Sequence, residues 1–79
     1  MKKDKIISVI AEVLQTNISN INEKSDYNNT NGWDSLATTN IIVALEEEFD
    51  IDIELDDAEK FISVENILKI LEENYLWKV

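Results

Sequence analysis

The sequence predicts an all-α fold, a four-helix bundle with three longer helices, one short third helix and a long loop between helices 1 and 2. Two observations carry that expectation. The chain has no proline and a single glycine, too few for the many tight turns of an all-β domain. Its apolar residues recur at three- and four-residue spacing in separate stretches, the first two joined by a segment rich in Asn and Ser.

Met1 to Gln15 reads as the first helix, with Ile6, Ile7, Val9, Ile10, Val13 and Leu14 recurring on one side and Lys5, Ser8, Glu12 and Gln15 on the other. Asp4 is placed to cap it. Thr16 to Asp34 is the long connection. Its Asn17, Asn20, Asn22, Asn28, Asn29 and Asn31, with Ser19, Ser25 and Thr30, carry short polar side chains that compete with helical hydrogen bonds. Ile18 and Ile21 are expected to pin this loop to the core, because an unanchored connection of such length is uncommon in a compact domain.

The second helix spans Ser35 to Phe49, capped by Asp34, whose carboxylate also suits the positive end of the helix dipole. At ~100° per residue, Thr38, Ile41, Ile42, Leu45 and Phe49 share the core face. Leu36, Asn40, Val43 and Glu47 point the other way, with Thr39 and Glu46 on the flank. Asp56 to Ile62 is the short third helix, capped by Asp56 and apolar at Ala58, Phe61 and Ile62. So short a helix is held only by packing. Ser63 caps the last helix, whose stripe is Val64, Ile67, Leu68, Leu71 and Tyr75. Leu76, Trp77 and Val79 follow, with Trp77 either on the bundle rim or in a tail.

Seventy-nine residues read as one domain, 1–79. A domain of that size buries only ~60% of its unfolded surface, so a deep active-site cleft is not expected. Seven basic residues against seventeen acidic ones give a net charge of −10. That charge excludes nucleic acid and anionic membrane surfaces as partners and makes a basic protein surface the natural one. With no cysteine there are no disulfides or thiolate metal sites. The N-terminus lacks the apolar run of a signal peptide and no segment is long enough to span a bilayer, so a monomeric cytoplasmic protein is expected.

Nine of the acidic residues fall between Glu46 and Glu59, with no basic residue among them. A calcium loop starting at Asp50 would use Asp50, Asp52 and Glu54. It requires glycine where Leu55 stands and a bidentate glutamate where Phe61 stands, so no metal site is assigned. The run reads as a solvated, self-repelling surface.

The stretch around which the chain is organised is Gly32-Trp33-Asp34-Ser35-Leu36. It places a serine at a helix start. With no histidine or cysteine in the chain, Ser35 has none of the usual bases beside it, and neither a catalytic residue nor an enzyme activity is assigned. Two readings fit these residues: an attachment point for a group that another enzyme adds, and an ordinary N-terminal helix residue in an acidic interaction module. Leu36 and Val43, two turns apart and rimmed by acids, form a row suited to docking a basic partner.

Asp34-Ser35-Leu36, followed by Ala44-Leu45-Glu46-Glu47-Glu48-Phe49, Ile53, Asp56-Asp57-Ala58-Glu59-Lys60 and Ser63-Val64, resembles the acyl carrier protein family over nearly the whole chain. The resemblance implies that Ser35, with Asp34 and Leu36 beside it, receives 4′-phosphopantetheine from coenzyme A through a phosphopantetheinyl transferase. The arm's thiol then holds acyl or related cargo as a thioester. It further implies a recognition face of Leu36, Thr39, Asn40, Val43, Glu46, Glu47 and Asp56 for basic patches on loading and acyltransfer enzymes. A cargo pocket of Val43, Ile53, Ala58 and Phe61 belongs to the same expectation, with the bulk of Phe61 disfavouring long chains.

The chain departs from carriers of fatty acid biosynthesis at Ala37 and Asn40, where those have acids, and at Glu54, where they have proline. Trp33 and Ala37 look more like carriers of specialised polyketide, aminoacyl or surface-glycan pathways.

Overall fold

The computed structural model describes residues 2–75 and is the expected four-helix bundle: α1 (Lys2–Val13), α2 (Ser35–Phe49), α3 (Leu55–Ala58) and α4 (Val64–Asn74). One 3-10 turn, Ile18–Asn20, lies in the long first loop. The core is made where the apolar stripes meet. Ile6 and Ile10 of α1, Ile41 and Leu45 of α2, and Ile67 and Leu71 of α4 are each four residues apart, hence on one face of their helix, and all are fully enclosed with Phe61 and Val64. Burial of each such side chain is worth about 1.5–3 kcal/mol, the main term holding the helices together.

Several local expectations need correction. The first helix stops at Val13, because Gln15 adopts the left-handed conformation at φ 57°. The Thr16 amide donates to Ala11 O at 3.0 Å and the Gln15 amide to Glu12 O at 3.1 Å, which satisfies two carbonyls of the last turn. Asp4 lies within the first turn of α1, not at its cap. Of the two isoleucines expected to pin the long loop, only Ile21 is buried. Ile18 is exposed, since the 3-10 turn rotates it to the surface.

In α2, Ala37 is buried alongside Ile41 and Leu45, while Thr38, Ile42 and Phe49 are half-buried; the core-facing direction lies about one residue back from the expected one. The helix ends at Asp50, left-handed at φ 55°, where the Asp50 and Ile51 amides both donate to Glu46 O. α3 begins and ends earlier than expected, its N-cap is Glu54 with no side-chain hydrogen bond, and Ile62 is exposed. Ile70 joins the buried stripe of α4, and the Ser63 hydroxyl caps that helix by accepting from the Asn66 amide at 3.0 Å. The expectation for Trp77 lies outside the described residues.

The long loop is tied to the far side of the bundle by backbone pairing. Asp26 and Ser63 form an isolated antiparallel bridge, in which the Tyr27 amide donates to Ile62 O at 3.1 Å and the Val64 amide to Ser25 O at 2.9 Å. This pairing fixes the middle of the loop beside the start of α4, and so the direction in which its last residues enter α2.

Candidate functional site

The Asn-rich part of the loop is locked by its own side chains. Asp26 Oδ1 accepts from the Asn28 and Asn29 amides at 2.8 and 3.0 Å. Asn29 Oδ1 accepts from the Asp26 amide at 2.8 Å, and Asn29 Nδ2 donates to Lys24 O at 2.9 Å. These are the local turn bonds for which such side chains are suited. The chain then turns through Thr30 to Trp33, whose amide donates to Thr30 O at 3.2 Å, with Gly32 at φ 85° in the third position. An added Cβ at Gly32 would meet nothing within 4 Å. The requirement for glycine is therefore conformational, since L side chains are strained at that φ.

Trp33 follows and settles into the core at 4% exposure, its indole N–H donating to Thr38 Oγ1 at 2.9 Å. The loop and the first turn of α2 are thereby one piece. Asp34 caps the helix as expected, its Oδ1 accepting from the Ala37 amide at 2.8 Å and its carbonyl from the Thr38 amide at 2.9 Å. Ser35 is the first residue of α2 and is exposed. Of the amides that open the helix, those of Ser35 and Leu36 have no acceptor placed on them among the described residues. Such amides, at the positive end of the dipole, favour an anion.

A groove of about 560 Å³ runs beside Ser35. Trp33, Ser35 and Thr38 form one wall, and Ala58, Glu59 and Ile62, in and after α3, form the other, with Tyr27 at its edge. Of the four residues expected to line a cargo pocket, only Ala58 borders this groove. Phe61 is at 0% exposure inside the core, Ile53 is half-buried against the core, and Val43 is 47% exposed on the outer face of α2.

On that outer face Leu36 is 69% exposed, with Thr39, Asn40 and Glu47 also at the surface and Asp56 exposed on α3. Glu46 is turned differently. It is half-buried, and its Oε2 accepts from the Ile53 amide at 2.8 Å, so this carboxylate closes the α2–α3 connection. Leu55, 75% exposed at the start of α3, is an apolar surface residue that the helical pattern missed. It stood out in the sequence only as an aliphatic residue within an acidic run.

Tyr75, at the end of the apolar stripe, packs partly buried against the core, and its hydroxyl reaches α3. It accepts from the Glu54 amide at 2.9 Å and donates to Asp57 Oδ2 at 2.7 Å. Partial burial pushes its pKa above the ordinary 10.0. The Asp57 carboxylate adds to the rise by accepting the phenolic proton and by its charge, and the Glu54 amide pulls the other way.

Residues 4–71 match the family described as "Phosphopantetheine attachment site", which defines the chain as a carrier domain for 4′-phosphopantetheine. Over 71 residues, 90% of this chain and 91% of the relative, it is 37% identical to a protein of Helicobacter pylori (strain J99 / ATCC 700824) named "Acyl carrier protein". The chain belongs to the acyl carrier protein family. Its role is that of a carrier, not an enzyme, and carriers of this type work with a phosphopantetheinyl transferase and with acyl-handling enzymes. Among the described residues no helix is long and apolar enough to cross a membrane.

Proposed function

We propose that the chain holds acyl or related intermediates as thioesters on a 4′-phosphopantetheine attached to Ser35 Oγ, and presents them in the cytoplasm, as a monomer, to partner enzymes that dock on α2. The observation that carries this reading is an exposed hydroxyl at the start of a fifteen-residue helix, beside a groove of about 560 Å³. The residues present fit the group. Asp34 holds the helix start in place, and the Ser35 and Leu36 amides face an anion attached there, although the Asp34 carboxylate opposes its charge. When bound, the group supplies the thiol that a cysteine-free chain lacks.

Leu36, Val43 and Glu47, with Thr39, Asn40 and Asp56 around them, offer partners an apolar row within an acidic surface. A net charge of −10 favours basic patches on those partners. Docking of this kind is fast and weakened by salt, which suits a shuttle that must leave each enzyme it visits. Glu46 contributes charge to this face while its carboxylate stays engaged by Ile53. With Phe61 and Trp33 filling the interior, cargo lies in the surface groove and is short, as in a specialised pathway. A long-chain thioester on this protein hydrolyses as fast as a small model thioester; protection from water would refute the short-cargo reading.

Intact-mass measurement after incubation with coenzyme A and a broad-specificity phosphopantetheinyl transferase tests the attachment. The wild type gains one phosphopantetheinyl group and Ser35→Ala gains none. An unmodified wild type, or an equal gain in the variant, overturns the assignment.

A further inference from the structure

We propose that Tyr75 is a positioning residue, a latch that holds α3 to the end of α4 and thereby sets how readily the groove beside Ser35 opens. The second half of this inference rests on the carrier reading. α3 is a single four-residue turn with no side-chain cap and no buried residue. A helix of that length has no stability of its own in water. Its ends are nevertheless held. On one side the Ile53 amide donates to Glu46 Oε2 at 2.8 Å, and on the other Phe61 is enclosed in the core and Lys60 O accepts from Asn66 Nδ2 at 3.2 Å.

Between these points, the side-chain hydrogen bonds from outside that reach this stretch come, among the described residues, from one oxygen. Tyr75 Oη accepts from the amide of Glu54, the residue before α3, and donates to Asp57 in its middle. One phenol thus clips the first turn at two points. It does so from the residue that ends α4, where the Tyr75 amide donates to Leu71 O.

This position acts on the groove because the two walls differ in what fixes them. Trp33, Ser35 and Thr38 are joined by the indole hydrogen bond and by α2 itself. Ala58 and Glu59, the last residue of α3 and its C-cap, follow that segment, while Ile62, beyond the enclosed Phe61, is held through its carbonyl by the Tyr27 amide. Loosening the latch moves only the Ala58 and Glu59 part of the second wall. The pairing also requires a residue with an amide hydrogen at position 54, which glutamate has and proline lacks.

Hydrogen exchange on the apo protein tests the latch. Tyr75→Phe keeps the ring and removes the oxygen. It is expected to speed exchange roughly five- to tenfold at the hydrogen-bonded amides of Glu54, Ala58 and Glu59, with the enclosed parts of α1, α2 and α4 unchanged. Asp57→Asn retains an acceptor for the phenol and exchanges like the wild type. A Tyr75→Phe chain that exchanges like the wild type, that speeds up equally in every helix, or that loses its cooperative fold overturns the latch.

The second arm uses the holo protein, in which the prosthetic thiol is the sole thiol because the chain has no cysteine. That thiol reacts with a small disulfide dye several-fold faster in Tyr75→Phe; equal rates overturn the control of the groove. A protein that takes up no arm from coenzyme A defeats the carrier reading instead, and the exchange measurement alone then decides the latch.

Discussion

The two walls of the groove beside Ser35 come from helices of opposite construction. α2 has fifteen residues, a carboxylate cap at Asp34 and buried anchors at Ala37, Ile41 and Leu45. α3 has four residues, no side-chain cap and no buried side chain of its own. The first carries its stabilisation within itself, and the second draws it from Phe61 beyond its end and Tyr75 from another helix. On the attachment proposed at Ser35, a carrier gains from the contrast: the arm starts from the fixed wall, in one place for every partner, and the α3 part of the other wall has room to adjust to what the arm holds.

Removing the anchor next to α3 has the largest expected effect. Phe61→Ala empties a fully enclosed site and lowers unfolding free energy by about 3–5 kcal/mol in urea titrations. In so small a domain that is a large share of the total. The caps separate the walls at a smaller scale. Asp34→Ala removes the acceptor for the Ala37 amide and costs about 1 kcal/mol in the same titrations, whereas Glu54→Ala, whose side chain caps nothing, changes stability by only a few tenths. Equal losses at the two caps would erase the contrast.

The smallest effect appears in alkali. The folded chain holds the Tyr75 proton more tightly than the unfolded chain, since burial and Asp57 raise its pKa above 10.0 while the Glu54 amide only partly offsets them. The stabilising contribution is therefore complete below pH 10.0 and is lost as pH climbs through the raised value. The charged groups facing the phenol are the Asp57 and Glu54 carboxylates. Urea midpoints followed upward from pH 10.0 should fall more in the wild type than in Tyr75→Phe.

What could be read from the sequence divides along the same line. α2 was legible to its ends because its signals are local, Asp34 before it and an apolar stripe within it, although the core-facing direction lies about one residue back from the one expected. Ser63 and the α4 stripe were legible for the same reason. α3 was not, because its bounds depend on partners distant in the sequence, Tyr75 among them. The groove escaped for a related reason. Tyr27, Trp33 and Ile62 meet only once the loop has folded back, and no spacing in the chain announces it. Glu46 looked like one more surface acid until the Ile53 amide came within reach of it.

The bridge between Asp26 and Ser63 has a consequence in time. It joins the middle of the long loop to the start of the last helix, so it closes only after the intervening chain has come together. Closure of so long a segment is disfavoured by entropy and comes after local helix formation. The loop that carries Gly32, Trp33 and Asp34 toward Ser35 is consequently among the last parts to reach its final course. On the attachment proposed at Ser35, a nascent or unfolded chain shows a modifying enzyme the same serine without its surroundings, and the finished address is written only when the fold is complete.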